Sequence, residues 1–262
     1  MPEIPDLTIY ARNLQGLITG REINGVRVGK PNKLNVPIVA FESALVGKAI
    51  GNVAREGKEL LFTLNGSGAF AVHLMLSGRT LLISAGELAT TRSLIAGLSF
   101  ADGGAMAFCD NRSMLRVTLN PKPSKVPDAL SEAFSKEYFA RMIHKNASQN
   151  IKTVLINQKL VRGIGNAYVD EILYDAGISP ESVTGKIPGD ALDDLYVSIG
   201  KVLRWAISEI TRIAPDIIAG EERGFLKVHM PKKKMTDNGE AIIVKDIELK
   251  RTYFTARQAV YR

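Results

Sequence analysis

The chain has 262 residues, 45% of them hydrophobic and 23% charged, which is typical of a globular protein long enough for two domains. No apolar run approaches the roughly 18 residues of a membrane span, and the acidic N-terminal stretch lacks the apolar segment of a signal peptide. The single cysteine, Cys109, excludes an internal disulfide and a multi-cysteine zinc site. We therefore expect a cytoplasmic or nuclear protein that is not secreted and binds no membrane. Its net charge of +7 is compatible with a polyanionic partner.

The chain begins Met1-Pro2-Glu3, and proline in second position permits removal of the initiator methionine. Removal would expose a secondary amine. A free α-amino group titrates near about 8, so part of it is a neutral nucleophile at neutral pH. Such an amine can attack C1′ of a nucleotide and form an iminium, and Glu3 beside it can transfer protons. An ordinary Met-Pro start without a catalytic role is the alternative interpretation.

An amphipathic helix is predicted next, because Leu7, Tyr10, Leu14 and Ile18 recur at helical spacing on one face. A reactive group on a frayed chain end could not be positioned for chemistry. We therefore expect this helix to fix the N-terminus on the core of its domain.

Short alternating segments separated by turn residues follow the helix, a pattern typical of a β-sandwich. We predict eight strands, at 22–28, 49–55, 60–64, 69–76, 80–84, 96–101, 105–109 and 114–119, with a short helix at 41–45. Two polar residues stand out among them. Lys58 precedes the third strand, and His73 lies among apolar strand residues. Taken alone, a surface lysine and a hydrogen-bonded core histidine are the more ordinary interpretations.

A proline-rich linker at 121–130 is predicted to separate a β-sandwich domain at 1–120 from a helical domain at 131–225. Within the helical domain we predict helices at 136–144, 151–160 and 167–176 and a long amphipathic helix around 192–210. These boundaries follow from the switch from alternating to helical spacing of apolar residues.

A two-glycine turn lies between two predicted helices, with Gly163 and Gly165 breaking the helical pattern. Asn166 stands where the next helix should begin, and asparagine is a preferred N-cap. Backbone N–H groups at a helix N-terminus can bind an anion, and DNA phosphate is the expected anion in a basic protein. An ordinary helical hairpin is the alternative.

The C-terminal stretch at 226–262 is predicted to form a third unit, a β-hairpin. Asp237-Asn238-Gly239-Glu240 is a strong hairpin-turn pattern. The stretch carries nine Lys/Arg against four Asp/Glu. This concentration of positive charge favours nucleic acid as the partner, and a merely solvated end is the alternative.

The run Gly-Ile-Gly-Asn-Ala-Tyr at 163–168, with Glu-Ile-Leu-Tyr-Asp-Ala-Gly-Ile-Ser-Pro at 171–180, resembles the helix–two-turn–helix signature of the formamidopyrimidine-DNA glycosylase and endonuclease VIII family. The resemblance implies an α+β fold, with a leading helix and β-sandwich, then a helical domain with the helix–two-turn–helix and a hairpin finger. It implies a monomeric bifunctional DNA glycosylase/AP lyase of base-excision repair. The partner would be double-stranded DNA containing damaged bases or abasic sites.

Under this resemblance Pro2 is the nucleophile and Glu3 the general acid. Lys58 matches a strand lysine that contacts the phosphate beside the lesion. Asp6 stands where the family usually has glutamate, one methylene longer, and is expected to give support. His73 lies in a run that resembles a strand motif of the family, and we keep its interpretation as a core residue.

The DNA-binding residues implied by the resemblance are Asn166 and Arg251, which match phosphate contacts, together with the turn glycines Gly163 and Gly165. The side chains expected to fill the void left by a flipped-out base are Leu76, Arg112 and Met114. The alternative for Leu76 and Met114 is an ordinary place in the core.

The family commonly ends in a four-cysteine zinc ribbon, and here the four metal positions align with Met235, Asn238, Ala256 and Ala259. None of these is a good zinc ligand. We therefore expect a zincless finger, without cofactor or metal, held by apolar packing on the helical domain. Two other functions stay open, a non-catalytic binder of damaged or unusual DNA with the same fold and an RNA-binding helical module.

Overall fold

A computed structural model describes residues 1–262, and the chain divides into two compact units. The first comprises Met1–Pro123 and Ile210–Glu221, and the second comprises Ser124–Glu209 and Glu222–Arg262. The segment Ile210–Glu221 thus belongs to the first unit, whereas the sequence analysis assigned it to the helical domain. None of the helices is both long enough and apolar enough to cross a lipid bilayer.

The first unit is a β-sandwich with a leading helix, as predicted. Its elements are α1 (Ile4–Ile18), β1 (Ile23–Val28), α2 (Ile38–Leu45), β2 (Ile50–Glu56), β3 (Glu59–Leu64), β4 (Ala69–His73), β5 (Arg79–Ser84), β6 (Leu94–Phe100), β7 (Gly104–Cys109) and β8 (Arg116–Leu119). Two four-stranded antiparallel sheets form, in the orders β1-β6-β7-β5 and β2-β3-β4-β8. All eight predicted strands are present.

Aromatic side chains join the two sheets. Phe62 of β3 stacks on Phe70 of β4 with ring centroids 4.6 Å apart, and Phe108 of β7 meets Phe62 edge-on at 5.7 Å. All three rings are buried. Since full burial of each phenylalanine contributes about 1.5–3 kcal/mol, this cluster is a main source of the sandwich's stability.

Helix α1 carries the contacts that bring the segment Ile210–Glu221 into the first unit. Arg12 and Asn13 both donate to the carbonyl oxygen of Pro215, at 2.9 and 2.8 Å. The carbonyl of Ile218 accepts from the buried hydroxyl of Thr80 on β5. These bonds join residues 138 to 203 positions apart, so the local spacing of apolar residues could not indicate them.

The second unit contains α3 (Lys136–Lys145), α4 (Ile151–Ile156), α5 (Asn166–Asp175), α6 (Gly189–Ile213, to Glu209 in this unit), β9 (Ile242–Ile247) and β10 (Lys250–Thr255). Helix α4 ends earlier than the predicted residue 160, because Asn157 turns to an extended backbone and its side chain accepts from the N–H of Lys159.

The predicted hairpin turn was placed wrongly. Asn238-Gly239 does form a tight turn, in which Thr236 donates its N–H to Glu240, but it closes a separate small loop. The antiparallel pair β9–β10 turns at Glu248 and Leu249, which carry φ values of 49° and 62°. Neither glutamate nor leucine is typical of a tight turn, so local turn preferences do not predict a turn at these two residues.

Candidate active site and nucleic-acid interface

The N-terminus is held at the start of α1 by a reciprocal capping box between Glu3 and Asp6. The N–H of Glu3 donates to Asp6 Oδ2 at 2.9 Å, and the Glu3 side chain accepts from the N–H of Asp6. Pro2, Glu3 and Asp6 are all buried. The shorter aspartate side chain therefore reaches the backbone of Glu3, the residue that follows Pro2.

The nitrogen of Pro2 lies in the Met1–Pro2 peptide bond of this chain. The amino group of Met1 forms an ion pair with the carboxylate of Glu221, and both side chains are partly exposed. In this form the proline nitrogen is an amide and cannot act as a nucleophile. Sequence reasoning missed Glu221, because nothing in the local pattern of its Gly-Glu-Glu loop indicates a contact with the chain start.

Lys58 is buried in the turn between β2 and β3, with 8% of its surface exposed. Arg55 on β2 connects this turn to the first helix, because its Nε donates to Thr8 Oγ1 at 3.0 Å and an Nη donates to Gly57 O at 3.2 Å. Thr8 lies two residues after Asp6 on α1. One side chain thus joins the turn that carries Lys58 to the helix that carries the capping box.

His73 lies where Lys58 affects its titration. Burial, then the positive charges of Lys58 and Arg116, lower the pKa of His73 to about 4. The ring Nδ1 accepts a hydrogen bond from the N–H of Met75 at 3.1 Å, which requires that nitrogen to be unprotonated. The half-buried imidazole is therefore neutral at physiological pH and makes a hydrogen bond within the fold.

Asp110 organises the three residues predicted to fill a void in the duplex. Its carboxylate accepts from the hydroxyl of Ser77, next to Leu76, and from the N–H groups of Arg112 and Met114 at 2.9 and 2.6 Å. Leu76 is 49% exposed, so it is not a core residue. Arg112 is exposed and Met114 half-buried.

A fourth bond to Asp110 comes from the N–H of Leu115, at 2.8 Å. Burial alone would raise the pKa of Asp110, but the hydrogen bonds from Ser77 and from the backbone together hold it below its ordinary value. The carboxylate is therefore ionised and cross-links the loop after β4 to the loop after β7. Sequence reasoning missed this role, although Asp followed by Asn, Arg and Ser is a familiar loop-forming pattern.

In the second unit, the two-glycine turn is closed by its own side chains. Gly163 has φ 100°, which favours glycine, and its N–H donates to Gln158 Oε1 at 2.8 Å. This N–H is therefore used within the turn and is not open to an anion. Gly165 rather than Asn166 is the N-cap of α5, and Asn166 is the first helical residue.

Asn166 and Arg251, which are 85 positions apart, meet at the N-terminus of α5. The Asn166 side-chain Nδ2 donates to the carbonyl oxygen of Arg251 at 2.9 Å. An amide nitrogen carries a second hydrogen that can serve another acceptor. The two predicted phosphate contacts thus lie side by side at a helix end that favours anions.

A buried ion pair fixes the strand that carries Arg251. Lys152 Nζ lies 2.8 Å from Asp170 Oδ1 and donates to Thr252 Oγ1 at 2.7 Å. Asp170 Oδ2 also accepts from the N–H of Tyr253 at 3.0 Å. The three side chains of Lys152, Asp170 and Thr252 are at most 1% exposed. The two residues after Arg251 are therefore bonded directly to the core of the helical unit.

The loop before the hairpin is anchored by the same helix. Glu171 accepts three backbone hydrogen bonds, from Lys227, Val228 and His229, at 2.8 to 3.0 Å. Burial raises the pKa of Glu171 despite these bonds. His229 Nδ1 lies 2.7 Å from Asp170 Oδ2, so adjacent carboxylates of α5 hold both the loop and the strand.

The residues at the expected metal positions do not fit zinc, since the two alanines offer no donor and Met235 and Asn238 offer only a thioether and an amide. No group of three or more His, Cys, Asp or Glu in the structure could hold a metal ion.

The four expected metal positions lie in two turns of the finger, one at 235–238 and one at 256–259. Polar contacts join these two turns. Glu240 Oε1 lies 3.1 Å from an Nη of Arg257, and the N–H of Glu240 donates to Thr236 Oγ1 at 3.1 Å. Gln258 accepts from the N–H of Thr255 at 2.8 Å. Tyr253 and Phe254 are buried beside them. Apolar packing is thus accompanied by a polar cross-link, which the sequence analysis did not anticipate.

Comparison with known proteins gives two family matches. Residues 1–117 match the formamidopyrimidine-DNA glycosylase N-terminal domain, and residues 126–214 match the formamidopyrimidine-DNA glycosylase H2TH domain. The formamidopyrimidine-DNA glycosylase of Carboxydothermus hydrogenoformans is 33% identical over 209 residues, covering 79% of this chain and 78% of that protein. That of Pelotomaculum thermopropionicum is 28% identical over 270 residues, covering 97% of each.

Solved structures show the same fold. Wild-type Lactococcus lactis Fpg (MutM), crystallised in complex with DNA containing an oxidized pyrimidine, is 25% identical with a TM-score of 0.86. The alignment covers 97% of this chain and 98% of that one. The two domain matches together span well over half of the sequence, and relatives above 30% identity are covered over more than two thirds of their length. The chain therefore belongs to the formamidopyrimidine-DNA glycosylase family.

Proposed function

We propose that this protein is a DNA glycosylase of base-excision repair that also cleaves the strand as an AP lyase. The observation that carries the proposal is the burial of Pro2 and Glu3 at the start of α1. Glu3 is held by the capping box with Asp6, and Arg55 connects the turn of Lys58 to the same helix. Relatives in the family are named formamidopyrimidine-DNA glycosylases, which also supports a glycosylase activity.

Chemistry begins when Met1 is removed and the Pro2 nitrogen becomes a secondary amine. The amine attacks C1′ of the damaged nucleotide, the bond from C1′ to the base breaks, and the base leaves with a proton. The sugar ring then opens as C1′ forms an iminium with nitrogen, and O4′ takes a proton that Glu3 is placed to supply. Loss of a C2′ proton expels the 3′ phosphate, and a second elimination expels the 5′ phosphate.

The partner we propose is double-stranded DNA that contains a damaged base or an abasic site. A base must leave the stack before C1′ can be attacked. Leu76, Arg112 and Met114 would fill the vacated space, since leucine and methionine are typical wedges and arginine can pair with the orphaned base. Asn166 and Arg251 would bind backbone phosphates at the start of α5, with Lys58 contacting phosphate at the lesion.

We also propose that the finger works without zinc and that the reaction needs no cofactor. The donor set at Met235, Asn238, Ala256 and Ala259 supports this. So does the Glu240–Arg257 pair, which joins the two turns that a metal would otherwise join.

Borohydride trapping tests the proposal. Reduction of the iminium should yield a covalent protein–DNA adduct on duplex DNA containing an abasic site, from protein whose first methionine has been removed. Pro2→Gly supplies a primary amine and has lost the rigid ring. It should bind the same DNA but give a greatly reduced yield of the covalent adduct. No adduct from the processed wild-type protein would refute the enzymatic proposal.

A second function, a DNA-binding protein that does not cut, is favoured by the departures from the family pattern at Asp6, Met114 and the four zinc positions. Tight binding to abasic-site DNA without turnover or adduct, from protein whose first methionine has been removed, would support this alternative.

A further inference from the structure

A recess of about 440 Å³ lies in the first unit, between β1 and the loops that precede β6 and follow β7. Its polar lining comes from three places in the chain. Arg27 and Lys30 lie on β1 and just after it, Ser93 lies before β6, and Asn111 and Ser113 follow β7. The volume is within the range of small-molecule sites, roughly 300–1,000 Å³. None of these five residues has a role in the function proposed above.

Backbone contacts hold the walls of this recess together. The N–H of Gly29 donates to the carbonyl oxygen of Ile95 at 3.0 Å, and the N–H of Asp110 donates to that of Ser93 at 2.9 Å. A Cβ on Gly29 would lie 2.2 Å from the carbonyl oxygen of Leu94, so the close approach of the two loops requires glycine. The recess is therefore a preformed feature of the sandwich.

Two serines on the lining have a left-handed backbone. Ser93 has φ 58° and Ser113 has φ 51°, a conformation that residues with a Cβ adopt only at a cost. Strained residues of this kind persist where the surrounding structure holds them, and they cluster at binding and catalytic sites. Both serines face the same recess from different loops. This coincidence marks the recess as a candidate binding site.

Hydrogen-bond donors are in excess on the lining. Five polar side chains there make no hydrogen bond or ion pair in the structure, namely those of Arg27, Lys30, Ser93, Asn111 and Ser113. Arginine and lysine carry only donors, and serine and asparagine can each donate. The one carboxylate on the lining is that of Asp110, and both of its oxygens already accept two hydrogen bonds each. Two cations with free donors around a recess suit an oxyanion.

We propose that this recess binds the phosphate group of a free mononucleotide. A phosphate monoester carries a charge of about −1.5 to −2 at pH 7 and three strong acceptor oxygens, which matches two cations and three further donors. A phosphodiester inside a duplex carries one charge and is flanked by sugars on both sides, so it fits a recess less well. The inference goes beyond the proposed function and does not depend on it.

Occupancy of the recess acts on the loop after β7. Asn111 and Ser113 alternate along the chain with Arg112 and Met114, two of the proposed void-filling residues. A phosphate bound to Asn111, Ser113 and Arg27 connects this loop to β1. The ligand should therefore slow hydrogen exchange of the loop N–H groups.

Isothermal titration calorimetry with deoxyadenosine 5′-monophosphate tests the site. The wild-type protein should bind this nucleotide and should not bind deoxyadenosine, which lacks the phosphate. Arg27→Met and Lys30→Met should each weaken binding by about tenfold, the effect of losing one hydrogen bond between charged groups. Their Tm should stay at the wild-type value, because both side chains are exposed and unbonded. Lys122→Met, at an exposed lysine of the linker, is the matched control and should bind as wild type.

A second control separates the recess from the anion site proposed at α5. Arg251→Ala should bind the mononucleotide as wild type, because Arg251 belongs to the second unit. Amide NMR shifts caused by the nucleotide should appear at Ser93, Asn111 and Ser113.

Three results would overturn the inference. They are wild-type affinity in both Arg27→Met and Lys30→Met, equal affinity for deoxyadenosine, and binding of duplex DNA through Lys30 with no affinity for the mononucleotide. The last would reassign the recess to the DNA backbone. Protein that binds the mononucleotide in the recess but gives no borohydride adduct would refute the proposed function and leave this inference standing.

Discussion

Replacement of Asp110 by asparagine tests how the loops that carry the proposed void-filling residues are held together. Asp110 Oδ2 accepts from the N–H groups of Met114 and Leu115 at 2.6 and 2.8 Å, and Oδ1 serves Ser77 and Arg112. Asparagine has one acceptor oxygen, so it must direct an NH₂ group at one pair of donors. Each hydrogen bond to the charged carboxylate contributes about 1.5 kcal/mol or more, so losing two costs on the order of 3 kcal/mol.

The assay compares two reactions. Excision of a damaged base from duplex DNA requires the void to be filled, whereas strand cleavage at an existing abasic site in single-stranded DNA does not. We expect Asp110→Asn to reduce excision strongly and single-strand cleavage only slightly, with a lower Tm. Asp102→Asn is the matched control, because Asp102 is an exposed carboxylate in the β6–β7 turn that pairs with Arg21. Such exposed pairs contribute little.

The stability of the fold in acid should also depend on the Asp110 carboxylate. A folded-state pKa held below the ordinary value gives stability that is fully present above the unfolded pKa of about 3.9 and is lost as pH falls through the folded value. The wild-type protein should therefore lose more stability in acid than Asp110→Asn does. Equal Tm in Asp110→Asn and Asp102→Asn, or equal loss of both reactions, would refute this reasoning.

Four further predictions address other parts of the molecule. Lys58→Met should raise the pKa of His73 above about 4 without restoring its ordinary value, because burial is the larger cause; an NMR titration of the imidazole that shows no change would contradict this. Arg251→Ala should weaken binding to all duplexes alike and reduce the salt slope by about 1, and loss confined to one sequence would argue against a phosphate contact. Glu240→Gln should speed hydrogen exchange in the β9–β10 strands and leave exchange in the sandwich unchanged, since Arg257 and other hydrogen bonds lower the pKa of Glu240 and keep it charged. A metal chelator should leave the wild-type Tm unchanged, and a fall in Tm would reveal a bound metal.

The strands of the sandwich could be read from the sequence because alternation and turn residues are local signals. All eight lie within a few residues of their predicted positions. The placement of Ile210–Glu221 could not be read, because it depends on bonds from Arg12, Asn13 and Thr80 to distant carbonyl groups. The turn at Glu248 was missed because its residues contradict local turn preference.

The predicted site residues came mostly from motif resemblance, and the structure shows which contacts hold some of them in place. The bond between Asn166 and Arg251 unites two elements that are far apart in sequence. Asp110 holds Met114 and Asp170 holds Tyr253 through backbone N–H groups, so the identity of the residue held gives no indication of the contact. Glu221 reaches Met1 across most of the chain. Contacts of this kind follow only from the assembled fold.

Peptide mapping of the borohydride-trapped adduct by mass spectrometry tests the central claim most directly. The account predicts that the reduced sugar is attached to the α-nitrogen of Pro2 in a chain that lacks Met1. Attachment to Lys58, the buried amine in the β2–β3 turn, or to a chain that still carries Met1 would contradict it.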